Sequence, residues 1–289
     1  MRPQLLAALA VLAVVAAYVG VTTELRWVAV MASAAIAYGF LSPVVAARRL
    51  YFLASASPHS ALFAAVLSIP VARLVGVGGE YLWAVLIGTL SIYVVGYMIH
   101  KGIEPDVATS AFIAFTTSGS VIAIYYVLTR YPMEANVWAV IVGDPLLASW
   151  WDAAYALGVA LATALFIYVT RREQVCLGID RDYVRLAGVN TGAYDALVFT
   201  LLAVTTVALI RVVGFVLEHV LVLLPSAIAT TWSRSARGAM ATSVYVSLLA
   251  SLVGLYLSVA LDLAPAGVTG LILLFTYIAV LAIRRWWYG

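Results

Sequence analysis

Long apolar runs, broken at intervals by arginine, aspartate, proline and glycine, dominate this sequence and restrict the folds open to it. Of its 289 residues 65% are hydrophobic and only 10% are charged, whereas soluble domains carry roughly 25% charged residues. Because water could not solvate so much apolar surface, the surrounding medium must be a lipid bilayer. Unbroken apolar runs satisfy their backbone groups in hydrocarbon only as helices, since a membrane barrel would alternate in polarity. The sequence therefore predicts an all-α, polytopic transmembrane helical bundle.

Ten candidate membrane spans can be delimited. They lie at 5–21, 27–46, 59–76, 81–99, 107–128, 150–170, 194–212, 214–231, 239–261 and 267–283. The first, at about 17 residues, is at the lower limit for a span and could be a signal peptide. It has no convincing small-residue cleavage site, so we interpret it as a retained first helix. Nothing in the sequence separates two domains, and residues 1–289 are predicted to form a single transmembrane domain.

The distribution of basic residues indicates how the bundle is oriented. With the N-terminus inside, twelve of the 16 lysines and arginines fall on the cytoplasmic side, and the opposite orientation would invert that ratio. We therefore expect a multi-pass protein of the cell membrane with both termini in the cytoplasm. Because the basic residues sit at helix ends, they indicate contact with membrane lipid and not with nucleic acid.

The sequence lacks the common catalytic motifs. It contains no Gly-rich phosphate loop, no Gly-x-Ser-x-Gly and no His-Glu-x-x-His, so it is not expected to hydrolyse ATP by itself. A single cysteine, Cys176, excludes an intrachain disulfide. A transporter or transporter subunit is therefore favoured over an enzyme, and any energy for transport must come from a partner or an ion gradient.

Four segments follow one another in an order and spacing typical of one family. Arg48-Arg49 precedes His59 by ten residues, and Leu62 follows that histidine by three. Gly143-Asp144 stands in the long loop after the fifth span. The third segment runs from Gly178-Ile-Asp180 through Ala187-Gly188-Val189. The fourth runs from Val213-Gly214 to Pro225-Ser-Ala-Ile-Ala229, and Pro265-Ala-Gly267 follows it. In these segments the chain resembles the membrane permease of ABC-type zinc, manganese and iron uptake systems.

The resemblance implies a fold like type II ABC importers, with about ten helices and a homodimeric pore. It implies a separate ATP-binding subunit, an extracytoplasmic solute-binding protein and a transported divalent metal ion, with no permanently bound cofactor. The loop 171–193 is expected to couple the chain to the ATPase. Asp180 would cap a short helix there that reaches Ala187 and ends at Gly188. Gly214, Pro225, Pro265 and Gly267 match structural motif positions of the family.

Three residues are expected to contact the metal: His59, Glu218 and His219. The family carries an acid one helical turn before the histidine, where this chain has Ser55. Glu218 and His219 could compensate for the missing acid, because an ionisable residue within a membrane helix usually faces a cavity or a partner. We expect this pair nearer the outer side than His59, as a separate gate site.

Structural alternatives exist for the same residues. His59 could simply begin the third helix after Pro58, and Glu218 and His219 could bond to Arg211 or to a neighbouring helix. The loss of the acid at position 55 also favours, as an alternative cargo, a metal chelate such as haem, a siderophore or cobalamin. A non-transporting membrane scaffold or an intramembrane enzyme is the rival from another class.

Overall fold

The computed structural model describes residues 3–131 and 144–288 of the chain, and within them every regular element is helical. The helices are α1 (Pro3–Thr22), α2 (Leu25–Ala47), α3 (Tyr51–Val75), α4 (Glu80–His100), α5 (Pro105–Arg130), α6 (Trp150–Ile179), α7 (Arg181–Leu186), α8 (Thr191–Trp232), α9 (Ala236–Leu261) and α10 (Pro265–Tyr288), with a 3-10 turn at Pro145–Leu147. Eight of these helices are long and apolar enough to cross a membrane, and α1 is a shorter apolar helix. The predicted all-α bundle is confirmed.

Helix α8 folds back on itself at Gly214. A straight helix of its 42 residues would be about 63 Å long, roughly twice the hydrocarbon thickness of a bilayer. Asp195 pairs with Arg48, yet the Ser226 amide donates to Ser42 Oγ at 3.1 Å. Positions 42 and 48 are only about 9 Å apart along α2, so the two halves of α8 must be antiparallel. The predicted boundary between the spans 194–212 and 214–231 falls at this reversal.

The interior of the bundle is organised around α2 and the two halves of α8. Helix α2 packs against α6, α8 and α9, whereas α3 packs against α4, α5 and α8. Helix α10 covers α8 and α9, and α1 lies against α9. Most of α2 and α8 is buried, while α4, α6 and α10 expose rows of leucine, phenylalanine and tyrosine. Apolar side chains on the outside and small or polar ones inside are the arrangement expected of helices that pack within lipid.

Most of the basic residues collect at one end of the bundle, where α2 ends, α7 lies and α9 begins. This basic face carries Arg48, Arg49, Lys101, Arg181, Arg185, Arg234, Arg237, Arg284 and Arg285. At the opposite end, Arg211 donates to Glu80 Oε2 at 2.7 Å and Tyr81 donates to Asp152 at 3.1 Å. Gly143 and most of the predicted outer loop lie outside the described residues, although Asp144 caps the 3-10 turn.

Two helices extend eight or more residues beyond their predicted bounds. Helix α3 begins at Tyr51, eight residues before the predicted start at His59, and carries Pro58 inside it. Helix α6 continues through Ile179, beyond the predicted end at residue 170. Arginine is a good helix former whose charged head can reach polar surroundings, so Arg171 and Arg172 mark the edge of the membrane and not the end of the helix.

Gly214 has φ 79° and ψ 163°, a combination that only glycine adopts without strain. We expect Gly214→Ala to lower the free energy of unfolding by about 1–3 kcal/mol because the added Cβ strains the reversal. The thermal midpoint of the detergent-purified chain measures this effect. Gly158→Ala is the matched control, since Gly158 lies within α6 and its added Cβ would meet nothing within 4 Å. An unchanged midpoint for Gly214→Ala would contradict the strained reversal.

Candidate functional site

Two of the three predicted metal contacts meet where α3 packs against α8, at a partly exposed face of the bundle. The rings of His59, on α3, and His219, on the second half of α8, have centroids 5.2 Å apart and are nearly perpendicular. Phe215 packs against both rings, with centroids at 5.0 and 4.9 Å. Thr117 Oγ1, on α5, lies 3.0 Å from His59 Nδ1. We call His59, His219 and Thr117 the histidine site.

Local structure explains why His59 stands within a helix. Pro58 has no amide hydrogen to donate to the Ala54 carbonyl, which would leave a buried acceptor without a partner. The Ser57 hydroxyl takes that role and donates to the Ala54 carbonyl at 2.8 Å. Helix α3 therefore continues through Pro58, and the alternative that His59 merely begins a helix is wrong.

The reversal at Gly214 brings His219 to the level of His59. His219 lies five residues after the reversal, in the second half of α8, and its ring reaches α3 there. The expectation that Glu218 and His219 lie nearer the outer side than His59, as a separate gate, is therefore wrong for His219. Sequence position alone could not show it, because depth depends on how the two halves of α8 pack against α3.

The donors around the histidine site are neutral. Ser55, at the position of the family's acid, lies one turn before His59, and its hydroxyl donates to the Phe52 carbonyl at 2.8 Å. The backbone of Ser55 lies beside the His219 ring. His219 Nδ1 is buried without a hydrogen-bond partner among the described residues. Within residues 3–131 and 144–288 no group of three or more His, Cys, Asp or Glu side chains comes together in a way that could hold a metal.

Glu218 points away from the histidine site. Adjacent residues on a helix are about 100° apart, and Glu218 is turned toward α2, where the Tyr38 hydroxyl donates to its Oε1 at 2.6 Å. Both side chains are fully buried. The alternative of a bond to a neighbouring helix therefore describes Glu218, whereas Arg211 pairs with Glu80. Tyr38, which sequence reasoning missed, carries no signal in the sequence beyond its place in an apolar span.

The predicted coupling segment forms the short helix that the sequence suggested. Asp180 caps α7 by accepting a hydrogen bond from the Tyr183 amide at 2.9 Å. Ala187 ends the helix, and Gly188 follows with φ 81°, in the left-handed region that glycine favours. Three large apolar side chains are exposed in this segment. Ile179, the last residue of α6, is 80% exposed, and Tyr183 and Leu186 of α7 are 70% and 87% exposed. Sequence reasoning missed this apolar row. Tyr183 and Leu186 are three residues apart and so share one face of α7, whereas the extended backbone of Asp180 separates them from Ile179.

The remaining motif residues occupy the ends and the interior of helices. Pro225 is buried in the second half of α8, beside the Ser226 amide that donates to Ser42. Pro265 is the first residue of α10, a position where its missing amide hydrogen costs nothing, and Gly267 lies in the same turn. These positions shape the bundle and do not touch the histidine site.

Comparison with known proteins identifies the family of this chain. Residues 21–284 match the ABC 3 transport family. The chain belongs to this family. It is 26% identical over 243 residues to a protein of Thermotoga maritima named "Probable metal transport system membrane protein", a match that covers 84% of this chain and 83% of that one.

Two solved structures share the fold of this ABC 3 family member. PsaBC from Streptococcus pneumoniae, solved in complex with Fab, matches with a TM-score of 0.76 and 18% identity over 88% of this chain and 89% of the other. An inward-facing transporter described as being of the metal-chelate ABC type matches with a TM-score of 0.73 and 13% identity over 98% and 99%. The chain is a multi-pass membrane permease of a metal transport family, and membership in this family disfavours a scaffold or an intramembrane enzyme.

The buried bond between Tyr38 and Glu218 gives a prediction about stability. Tyr38→Phe would leave a fully buried carboxyl group without its partner, and we expect it to lower the free energy of unfolding by about 1–3 kcal/mol. Thermal unfolding in detergent measures the change. Tyr93→Phe is the control, because the Tyr93 hydroxyl also bonds to α8, 2.8 Å from Thr200 Oγ1, but its side chain is exposed. Equal midpoints for the two variants would contradict the prediction.

Proposed function

We propose that this permease forms, as a homodimer, the pore of an importer for divalent metal ions, and that His59 and His219 contact the ion in transit. The contact of these two imidazole rings across α3 and α8 is the observation that carries the proposal. Two rings bound to one tetrahedral zinc ion at about 2.1 Å have centroids about 5 Å apart, close to the separation found here. The basic face is then cytoplasmic, with both termini on that side.

The surface around the histidine site supports a second copy. His59 and His219 are only half-buried, and α5 exposes Thr117, which contacts His59, together with Ser110 and Ser118. Polar side chains at this depth are unsuited to lipid. A second copy across this surface encloses a polar pathway and doubles the number of imidazole donors.

The donor set favours zinc over manganese. Imidazole is a borderline ligand suited to zinc, whereas manganese prefers carboxylate and other oxygen donors. With serine at position 55, the histidine site offers nitrogen and hydroxyl donors but no carboxylate from α3. Zinc is therefore the cargo that we propose.

Metal binding to the detergent-purified dimer tests the cargo. We expect His59→Ala and His219→Ala each to weaken zinc binding by at least about tenfold, and the unmodified chain to bind zinc more tightly than manganese. Isothermal titration with each metal measures both effects. His100→Ala is the control, because this third histidine stands at the last residue of α4. Unchanged zinc affinity in both variants would refute the role of the histidine site.

We propose further that α7 docks into a separate ATP-binding subunit. The exposed row of Ile179, Tyr183 and Leu186 lies on the basic face, where a soluble partner could cover it. Binding of ATP would draw two such subunits together and shift the bundle between conformations open to either side. A solute-binding protein would deliver the ion to the opposite face.

Co-purification with a candidate ATPase from the same genome tests the docking surface. We expect Leu186→Asp to abolish the association, because it places a charge in the centre of an apolar contact. Leu263→Asp is the matched control, since Leu263 is 53% exposed in the turn between α9 and α10 at the opposite face. Loss of the ATPase from both variants, or from neither, would refute docking through α7.

A metal chelate is the second candidate cargo. The solved transporter of the metal-chelate type has the same fold over nearly the whole chain. The absence of a carboxylate at position 55 points in the same direction, because a chelated metal needs fewer ligands from the protein. Tight binding of a chelate without binding of free zinc would favour this candidate.

A further inference from the structure

The basic-face end of α2 is held by an almost buried arginine. The side chain of Arg48 is 5% exposed and donates to two partners, Gln174 of α6 at 2.6 Å and the Asp195 carboxylate of α8. Gly178 of α6 packs so closely on the Ala47 carbonyl that a Cβ would collide with it. The ends of α2, α6 and α8 are therefore fastened together at this point.

Asp195 extends this connection to α7. Its second carboxylate oxygen accepts from Arg181, the first residue of α7, so one side chain ties α7 to the ends of α2 and α8. Arg181 is 55% exposed, whereas Asp195 is only 17% exposed. We call Arg48, Asp195 and Arg181 the charge bridge.

A second connection lies ten residues earlier on α2, about 15 Å along the helix. There Tyr38 donates to Glu218, which is the neighbour in sequence of His219. Helix α2 thus holds the first half of α8 through Asp195 and the second half through Glu218. Because a packed helix moves as a rigid element, a displacement at one connection is carried to the other.

We propose that α2 is the mechanical link between the ATPase-docking helix and the histidine site, with the charge bridge and the Tyr38–Glu218 bond as its two ends. This inference rests on the proposed function, namely docking through α7 and cargo binding at His59 and His219. It makes Glu218 a positioning residue that orients His219 through the backbone of α8, and not a metal ligand. Movement of α7 then shifts His219 relative to His59, which stands on the separate helix α3.

Removing the exposed Arg181–Asp195 pair tests the end of the link at the charge bridge. Arg181→Gln leaves the buried Arg48–Asp195 pair intact, so the chain should fold as before. In vesicles containing the permease and its ATPase, we expect zinc uptake per ATP hydrolysed to fall about three- to tenfold, with ATPase association unchanged. Arg185→Gln is the matched control, because Arg185 is exposed on the same helix and makes no ion pair within the described part of the chain.

Substitution of Glu218 tests the end of the link at the Tyr38–Glu218 bond. Glutamine can still accept the Tyr38 hydrogen bond, so Glu218→Gln should retain the zinc affinity of the unmodified chain. Glu218→Leu removes that bond and should weaken zinc binding several-fold. If Glu218 were a ligand, Gln and Leu would lower the affinity alike, which would overturn its positioning role.

The double variant Arg181→Gln/Glu218→Leu tests whether the two ends act in series. We expect its uptake per ATP to be no lower than that of the worse single variant, since a link broken at one end transmits nothing more from the other. Losses that multiply, or an Arg181→Gln variant that matches Arg185→Gln, would overturn the link. If the unmodified chain neither retains an ATPase nor binds zinc, the proposed function fails instead, so the two failures are distinguishable.

Discussion

The backbone reversal at Gly214 is the constraint on which the rest of the structure depends. Without it, α8 would extend about 63 Å and leave half its apolar length outside a bilayer of about 30 Å. With it, the first half of α8 brings Asp195 to the basic face and the second half returns there after carrying His219 past α3. The direction of α9 and α10 also follows from this turn, because a single straight pass would invert both. One residue without a Cβ therefore determines the topology of the last quarter of the chain and the position of the site.

Buried ionisable side chains are costly inside the bundle, and their pairing shows how the fold meets that cost. A buried arginine is expensive in a bilayer unless a carboxylate and a further acceptor meet it, as Asp195 and Gln174 meet Arg48. Glu218 is met by one hydroxyl only, and its second oxygen has no partner among the described residues. The buried hydroxyls of Thr116 and Ser120 need no such partner, because they donate to carbonyl groups of their own helix, α5.

The sequence predicted the number and type of helices well, because arginine, proline and glycine mark most of their ends. It erred where these residues act differently within a membrane bundle: Pro58 lies inside α3, and Arg171 lies inside α6. Of the site, His59 and His219 were predicted from motif and chemistry. Glu218 was placed beside them although it turns toward α2, since adjacency in sequence does not specify which face of a helix packs where. Within the charge bridge, Arg48 and Asp195 are 147 positions apart, and no local sequence pattern predicts such a contact.

Under the proposed function, the chemistry of the histidine site suits the transit of an ion better than its storage. A cation in a transport pathway must bind strongly enough to leave water and weakly enough to leave the protein. Two imidazoles and a hydroxyl group would attract a divalent ion without the fixed negative charge of a carboxylate. The carboxylate nearest in sequence, Glu218, bonds to Tyr38 and points away from the site. Because the two rings stand on different helices, a small displacement of α8 relative to α3 changes the distance between them. The proposed cargo would then be released by movement of the helices and not by a change in the donors.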